Sequence, residues 1–359
     1  MGGYDVYALG FTLEPEPTNP EEVYWITLHL LDCNHWDPLH YLCIESSARQ
    51  CYATESTPDW PWEFGDYGPY PGYPIIDDPP NFGKPPGCGE DRCAPVGTNP
   101  INFGTGNKFQ QEVDFSANTP GPELAFRRFY NSRATYDGPL GYGWTHNYNL
   151  FIEDQGNRVV VWDADGKALR FKKEGGGNFT ADPLVYDTLT QEGGGTGDYV
   201  LTRTDNSLYR FNSEGRLLSI KDRNDNQITL TYDGDLLTAV SSNFGREITI
   251  TYNPNNKIET VDDPAGNTYT FSYIGDNLTA VAAPDGHLTE YLYDDPNDPH
   301  NMTEKRVGGQ TAGTWGYDQH DRAISSSKAD GVEAISVTYG GAPNTFDALR
   351  VWVIGFTGK

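Results

Sequence analysis

Three sets of side chains in this chain have the types and spacing to do chemistry: the histidine of GWTHNYN, two aspartate clusters, and the cysteines. His146 stands without a G-x-S-x-G elbow or a cysteine partner, so its imidazole is expected to be a hydrogen-bonding structural group at a sheet corner. The string DADG at 163–166 has the first half of a calcium loop. Asp163 and Asp165 would supply oxygens, and Glu174 falls at the twelfth position, where such loops place a bidentate carboxylate. Its flanks, VVVW and ALRF, read as strands rather than helices, and an Asp-Gly hairpin turn explains the string without an ion. Asp294, Asp295 and Asp298 form the second cluster. Calcium at either place is the one cofactor the sequence suggests, because a strongly negative chain gains from divalent counter-ions. Cys88 and Cys93 flank GEDR, but a C-x4-C without a second matching pair is a poor zinc signature, even with Cys33 and His35 upstream. Local disulfides among Cys33, Cys43, Cys51, Cys88 and Cys93 are expected instead, the odd number leaving one thiol unpaired or bonded to another chain. Abundant carboxylates without a cleft do not make a glycosidase pair. No phosphate loop, dinucleotide fingerprint or metal-hydrolase motif is present, and the expected role is non-enzymatic, with no catalytic or cofactor-binding residue.

The elements that would position these groups are set by composition. The chain has 359 residues with 25 Lys+Arg against 51 Asp+Glu, a net charge of −26, which repels phosphate backbones and anionic headgroups. Neither a nucleic-acid partner nor membrane insertion is expected, and no apolar run approaches the length of a span. Forty Gly and 25 Pro call for many turns, and 23 Tyr beside two Met suit sheet surfaces better than helical cores. The first residues, MGGYDVYALGF, carry no basic stretch followed by a long apolar one, so no conventional export signal is visible. Low lysine, high acid and strands rich in Gly, Thr and Tyr fit a bacterial protein living outside the cell or on its surface. Asn178, Asn277 and Asn301 sit in N-x-T strings that turn placement explains without sugar.

All five Cys and 15 of the 25 Pro fall in the first 100 residues. This divides the chain. A small Cys-bearing region (1–57) contains one readable strand, at 23–33. Proline recurs every few residues through 58–86, which excludes helix and central strand and makes 58–97 an extended arm. Its Trp60, Trp62, Tyr67, Tyr70 and Tyr73 are expected to lie on a neighbouring surface of this chain or of another subunit. From residue 98 to 153 the turns are punctuated by glycine, with strands expected at 108–115 and 124–131. Trp144 follows a tight glycine corner, from which its ring can cover the end of a sheet. Less regular hairpins fill 154–208.

Beyond them an internal repeat begins. Aromatic anchors at Phe211, Tyr232, Tyr252, Tyr273, Tyr293, Tyr317 and Tyr339 are spaced by 21, 20, 21, 20, 24 and 22 residues. An acidic or amide residue usually follows the anchor, and a second turn lies midway, as in NDN at 224–226 and DGH at 285–287. Between turns, QITLTY, EITITY and NTYTFSY alternate strictly, the mark of half-buried strands. Each unit is therefore a hairpin. Since one hairpin is not stable alone, the units must stack edge to edge over 209–341. The expected fold is all-β: stacked antiparallel hairpins in one curved, twisted sheet, followed by a tail at 342–359 where the pattern dissolves.

Three ordered motifs carry a family resemblance. They are N-P-x-N-x-x-T-G-N-K (Asn99 to Lys108, with Gly106 and Asn107), F-x-R-x-Y-N-S (Phe126 to Ser132, with Tyr130 and Asn131), and G-P-L-G-x-G-W-x-H-x-Y (Gly138 to Tyr148, with Gly141, Gly143 and Trp144). Together with the repeat they resemble the leading module of Rhs proteins, the YD-repeat proteins of bacterial polymorphic toxins. That resemblance implies a secreted β-shell that encloses a toxic C-terminal cargo, here absent, and a mechanism of sequestration. This chain departs from the family in having too few repeats to close a cavity, and it shows neither the repeat-core terminus nor a toxin domain. It would then be a piece of a longer shell. The alternative is a complete extracellular subunit polymerising into a fibre or coat by strand addition, through open strand edges or the Pro/aromatic arm. A third reading is a glycan-binding surface adhesin.

Overall fold

The computed structural model describes residues 9–13, 25–30, 101–102, 105–117, 120–182, 185–331, 334–340 and 350–354, with side chains described over most of 101–338. The five cysteines, the 58–86 arm and its aromatics lie outside the described residues, as does the Tyr339 side chain.

The fold is all-β. One antiparallel sheet of 22 strands runs, neighbour to neighbour, from Phe151–Asp154 through every hairpin to Ile335–Gly340. It continues through Arg350–Ile354, within the tail where the sequence pattern dissolves, and then through Trp25–Leu30 to Leu9–Leu13. The hairpins at 154–208 belong to this same sheet.

Two turn types explain why the sequence folds this way. In the first, five residues close a loop by two backbone bonds, as in 263–267: Asp263 N–H donates to Asn267 O at 2.9 Å, and Gly266 N–H to Asp263 O at 2.9 Å. The fourth position needs a positive φ and takes Gly, Asn or Asp accordingly, for example Gly266 at +84°, Asn256 at +58° and Asp321 at +58°. The acidic or amide residue after an anchor has a defined task in this turn. Asp318 Oδ1 accepts the N–H groups of His320 and Arg322, and Asn253 Oδ1 those of Asn255 and Lys257. In the second type, Gly-Asp makes a two-residue hairpin, at 234–235 and 275–276, with the glycine at φ +58° in both.

Five of the seven anchors interrupt their strands with a bulge. Register shifts by one just before Phe211, Tyr232, Tyr252, Tyr273 and Tyr317. Five anchor tyrosines form a ladder of hydrogen bonds. The hydroxyls of Tyr232, Tyr252, Tyr273, Tyr293 and Tyr317 donate to the carbonyls of Leu217, Leu237, Ile258, Leu278 and Met302, each 15 residues earlier, at 2.8–2.9 Å. Every acceptor residue is buried, so each tyrosine satisfies a carbonyl that water does not reach.

A second, four-stranded sheet is made of Ile101–Asn102, Asn107–Ala117, Leu124–Asn131 and Trp144–His146. It packs face to face on the large one, Phe126 meeting Phe271 edge-on at 6.0 Å and Phe115 meeting Tyr269 at 5.2 Å, and one continuous core joins the two. The large sheet also curls back on itself. Ile152 N–H donates to Gly215 O at 2.8 Å and Phe151 bridges Arg216, so this end of the sheet is bonded to a later hairpin of the same chain.

Candidate functional site

The chemistry-bearing residues converge on the seam between the small sheet and the anchor turns. In strand Leu124–Asn131, the alternate residues Leu124, Phe126, Arg128 and Tyr130 face the large sheet, all but fully buried. Arg128 is therefore a cation in an apolar phase, and it is fully partnered. Its guanidinium binds Asp114 through Nε at 2.7 Å and Nη2 at 2.8 Å, donates through Nη1 to Tyr291 Oη at 3.2 Å, and lies 5.1 Å over Trp144. Burial works against its charge, but Asp114 and Tyr291 outweigh that and hold it above its ordinary value.

Trp144 does not cover the end of a sheet. It lies between the sheets with no exposed surface, against Tyr130 at 5.3 Å and Tyr291 at 5.0 Å, and its Nε1 donates to Tyr293 Oη at 3.0 Å. Tyr293 passes the bond on to Leu278 O, which couples the leading motif to the ladder. Tyr130 makes the parallel link, donating to His300 O at 2.8 Å while accepting the N–H of Met302 at 2.9 Å. Burial raises both phenols, most of all Tyr130.

The glycines of the motifs are where backbones touch. A methyl group on Gly141 (φ +86°) would stand 2.4 Å from Asp276 O, and one on Gly106 (φ +71°) 2.5 Å from Arg322 Cβ. Backbone bonds run beside them: Tyr142 N–H to Asp276 O, Ile258 N–H to Pro139 O, Ala323 N–H to Gly106 O. Gly143, at φ +73°, makes room for Tyr130 and Asn131. Asn131 in turn accepts from Asn107 Nδ2 at 2.8 Å and donates to Asp165 O at 2.8 Å. Further ion pairs cross the seam, Lys305 to Glu112 at 2.5 Å and Lys257 to Asp137.

Two buried bases complete the seam. Lys108 has no exposed surface, donates to Phe109 O and Gln110 Oε1, and sits 4.0 Å over the Trp315 ring; burial holds its ammonium well below its ordinary value. His146 is stacked on Phe126 at 5.3 Å, its Nδ1 accepts the Tyr148 N–H at 3.3 Å, and burial pushes its pKa down to about 3. The ring is thus neutral, closed to solvent and spent on packing.

The calcium candidates separate. Asp163 is paired with Arg203 at 2.9 Å, Asp165 Oδ1 accepts the N–H of Lys167, and 163–167 closes as a hairpin turn with Gly166 at φ +90°. Asp294 is exposed. Asp295 and Asp298 face Asp321, whose carboxyl is held above its ordinary value by burial and by Asp298. Among the described residues no group of three or more His, Cys, Asp or Glu is placed to hold a metal ion.

Sequence reading passed over Arg128, Asp114, Lys108, Lys257, Tyr291 and Asn301 as site residues. The alternation of LAFRRFYN contained the signal for Arg128, which falls in the inward phase with Leu124, Phe126 and Tyr130. Lys257 and Tyr291 have no local signature, since their partners Asp137 and Arg128 lie 120 and 163 residues away.

The seam coincides with a region shared with other proteins. Residues 98–171 match the family described as a domain of unknown function, DUF6531. Over 100 residues the chain is 32% identical to double-stranded DNA deaminase toxin A of Burkholderia cenocepacia (strain H111), covering 26% of this chain and 7% of that protein. It therefore spans less than a tenth of that relative's length. Two solved structures resemble the fold weakly. The crystal structure of TcdB2-TccC3-Cdc42 is 8% identical with a TM-score of 0.27, over 70% of this chain and 17% of that one. That of TcdB2-TccC3-TEV is 12% identical with a TM-score of 0.18, over 64% and 16%. Among the described residues no helix is long and apolar enough to cross a membrane.

Proposed function

We propose that this chain is a wall segment of an Rhs-type shell in a bacterial toxin system, acting outside the cell, in which the module at 101–152 is sealed onto the inner face of a YD-repeat sheet. On this reading the described residues carry no catalytic step. They make surface, and the cargo or partner that the surface encloses or displays lies beyond these residues. The observation that supports it most is the use of polar groups at the seam. Arg128, Tyr130, Trp144, His146 and the tyrosine ladder all spend their hydrogen bonds inside the chain, which ties the two sheets into one wall. Similarity of part of the chain to a named toxin supports the toxin-system setting. The fibre reading has less support, since the edge strand Phe151–Asp154 already bonds to 215–216 of its own chain.

Limited proteolysis with mass spectrometry, light scattering and a deamination assay on double-stranded DNA test this together. A resistant core spanning 101–340 in a monodisperse, inactive protein is expected. Release of 101–152 as a separate fragment overturns the sealed wall, filaments favour the fibre, and deaminated DNA overturns the non-enzymatic role.

A further inference from the structure

Lys108 is buried without the usual reason for burying a lysine. It has no exposed surface, and among the described residues no carboxylate is in contact with its amine. Its Nζ donates instead to Phe109 O at 2.8 Å and to Gln110 Oε1 at 2.6 Å, above the Trp315 ring at 4.0 Å. Burial, helped by the charge of Lys305 and opposed by that of Glu112, holds its ammonium well below the ordinary value. Loss of the proton leaves a nitrogen with a free electron pair, the form in which lysine is a nucleophile. Side chains two residues apart on a strand share a side. Lys108, Gln110 and Glu112 therefore stand in line on strand Asn107–Ala117. The Gln110 amide is held at both ends, its oxygen by Lys108 and its Nε2 by Glu112 Oε1 at 2.9 Å. Lys305 fixes Glu112 in turn, at 2.5 Å. With the oxygen 2.6 Å from the amine and a C=O bond of about 1.2 Å, the amide carbon lies at most about 3.8 Å from the lysine nitrogen. That is near the separation of about 3–3.5 Å at which two groups are poised to react.

We propose that the Lys108 amine attacks the Gln110 side-chain amide and joins the two residues in an isopeptide bond. The Nζ–Cδ bond forms, the Cδ–Nε2 bond breaks, and ammonia leaves; no oxidant or other reagent enters. In the tetrahedral adduct both nitrogens stand on one carbon. The Glu112 carboxylate that touches Nε2 takes a proton from Nζ and delivers it to Nε2, so that the leaving group departs as ammonia. Nε2 also meets Gln111 O at 3.4 Å in an exposed contact, which gives the ammonia an exit to water. The product replaces a buried ionisable amine with a neutral amide, and the seam no longer carries the cost of burying that amine.

The experiment uses the full 359-residue chain, reduced and alkylated, in intact-mass spectrometry followed by trypsin digestion. A mass one ammonia below that of the sequence is expected, with a peptide of residues 93–127, uncut at Lys108, carrying the whole deficit. Lys108→Arg and Gln110→Met should restore the full mass. Chain recovered from inclusion bodies and held in urea should also show the full mass and lose ammonia on refolding. In Glu112→Gln that loss should be at least about a hundredfold slower. Circular dichroism confirms that the variants fold. A full mass with ready cleavage after Lys108 in the folded native chain overturns the proposal, and so does an ammonia deficit that survives in Lys108→Arg or maps outside 93–127. An unchanged rate in Glu112→Gln overturns the role of that carboxylate.

Discussion

Tyr130 and Met302, 172 residues apart, share a hydrogen bond of 2.9 Å in which the tyrosine hydroxyl accepts the buried Met302 N–H. Met302 O in turn accepts from Tyr317 at 2.8 Å, so one residue of the loop before strand Glu304–Val307 is held on one side by the leading module and on the other by the ladder. The small sheet is thus part of the repeat's own bonding scheme, and its removal would leave polar groups of the large sheet unpaired.

The Arg128–Asp114 pair sets the first prediction. Their side chains are 2% and 7% exposed, so Asp114→Asn leaves a buried, half-paired guanidinium and should cost about 3–5 kcal/mol in urea unfolding. Arg127→Ala, one residue away, breaks a pair whose side chains are 29% and 42% exposed and should cost less than about 1 kcal/mol. Equal costs would mean that the seam does not depend on the buried charge.

Acid should loosen the fold through His146. The unfolded imidazole takes up a proton below pH 6.5, whereas the folded one stays neutral down to about 3. Stability present above pH 6.5 is therefore lost as pH falls, by about 1.4 kcal/mol per unit, or about 2 kcal/mol between pH 7 and pH 5. Carboxylates held low, such as Glu123, act mainly below that interval. Urea midpoints across pH 7 to 5 should fall in the native chain and fall less in His146→Gln, where any remaining slope comes from groups such as Lys108, whose ammonium burial also holds low.

The ladder predicts that identical substitutions differ by position. Tyr252→Phe and Tyr273→Phe each strand a buried carbonyl and should cost about 1–2 kcal/mol. Tyr186→Phe, at a ring 75% exposed, should change stability by less than about 0.5 kcal/mol. Burial pushes the ladder phenols well up. Ultraviolet titration of the folded chain to about pH 11 should therefore ionise exposed tyrosines near their ordinary pKa of about 10 and leave the ladder protonated until the chain unfolds.

Two glycines with the same backbone angle separate strain from contact. Gly286→Ala, at φ +87° with nothing within 4 Å of the new methyl, should cost only the left-handed strain, about 1–2 kcal/mol. Gly141→Ala, at φ +86°, adds a clash with Asp276 O at 2.4 Å and should cost clearly more, with protease cleavage appearing between the two sheets. Equal thermal shifts for the two would show that the close approach at Gly141 is not part of the seam.

The sequence by itself determined the strands and turns. Alternation of period two in QITLTY or NTYTFSY, glycine or asparagine at positive-φ positions, and aspartate or asparagine after an anchor are local requirements. Each is met within a few residues of the chain, which is why strand Leu124–Asn131 and the midway turns are legible from composition and spacing alone. Tertiary structure decided which face of the small sheet meets which hairpins. It put Trp144 between the sheets instead of at an end, turned the first edge back onto Gly215, and converted the inward Arg128 into a link between Asp114 and Tyr291. Periodicity fixes which side of a strand is buried, but not what buries it. That choice rests on packing and hydrogen bonds between residues more than a hundred positions apart, and no repeat encodes them.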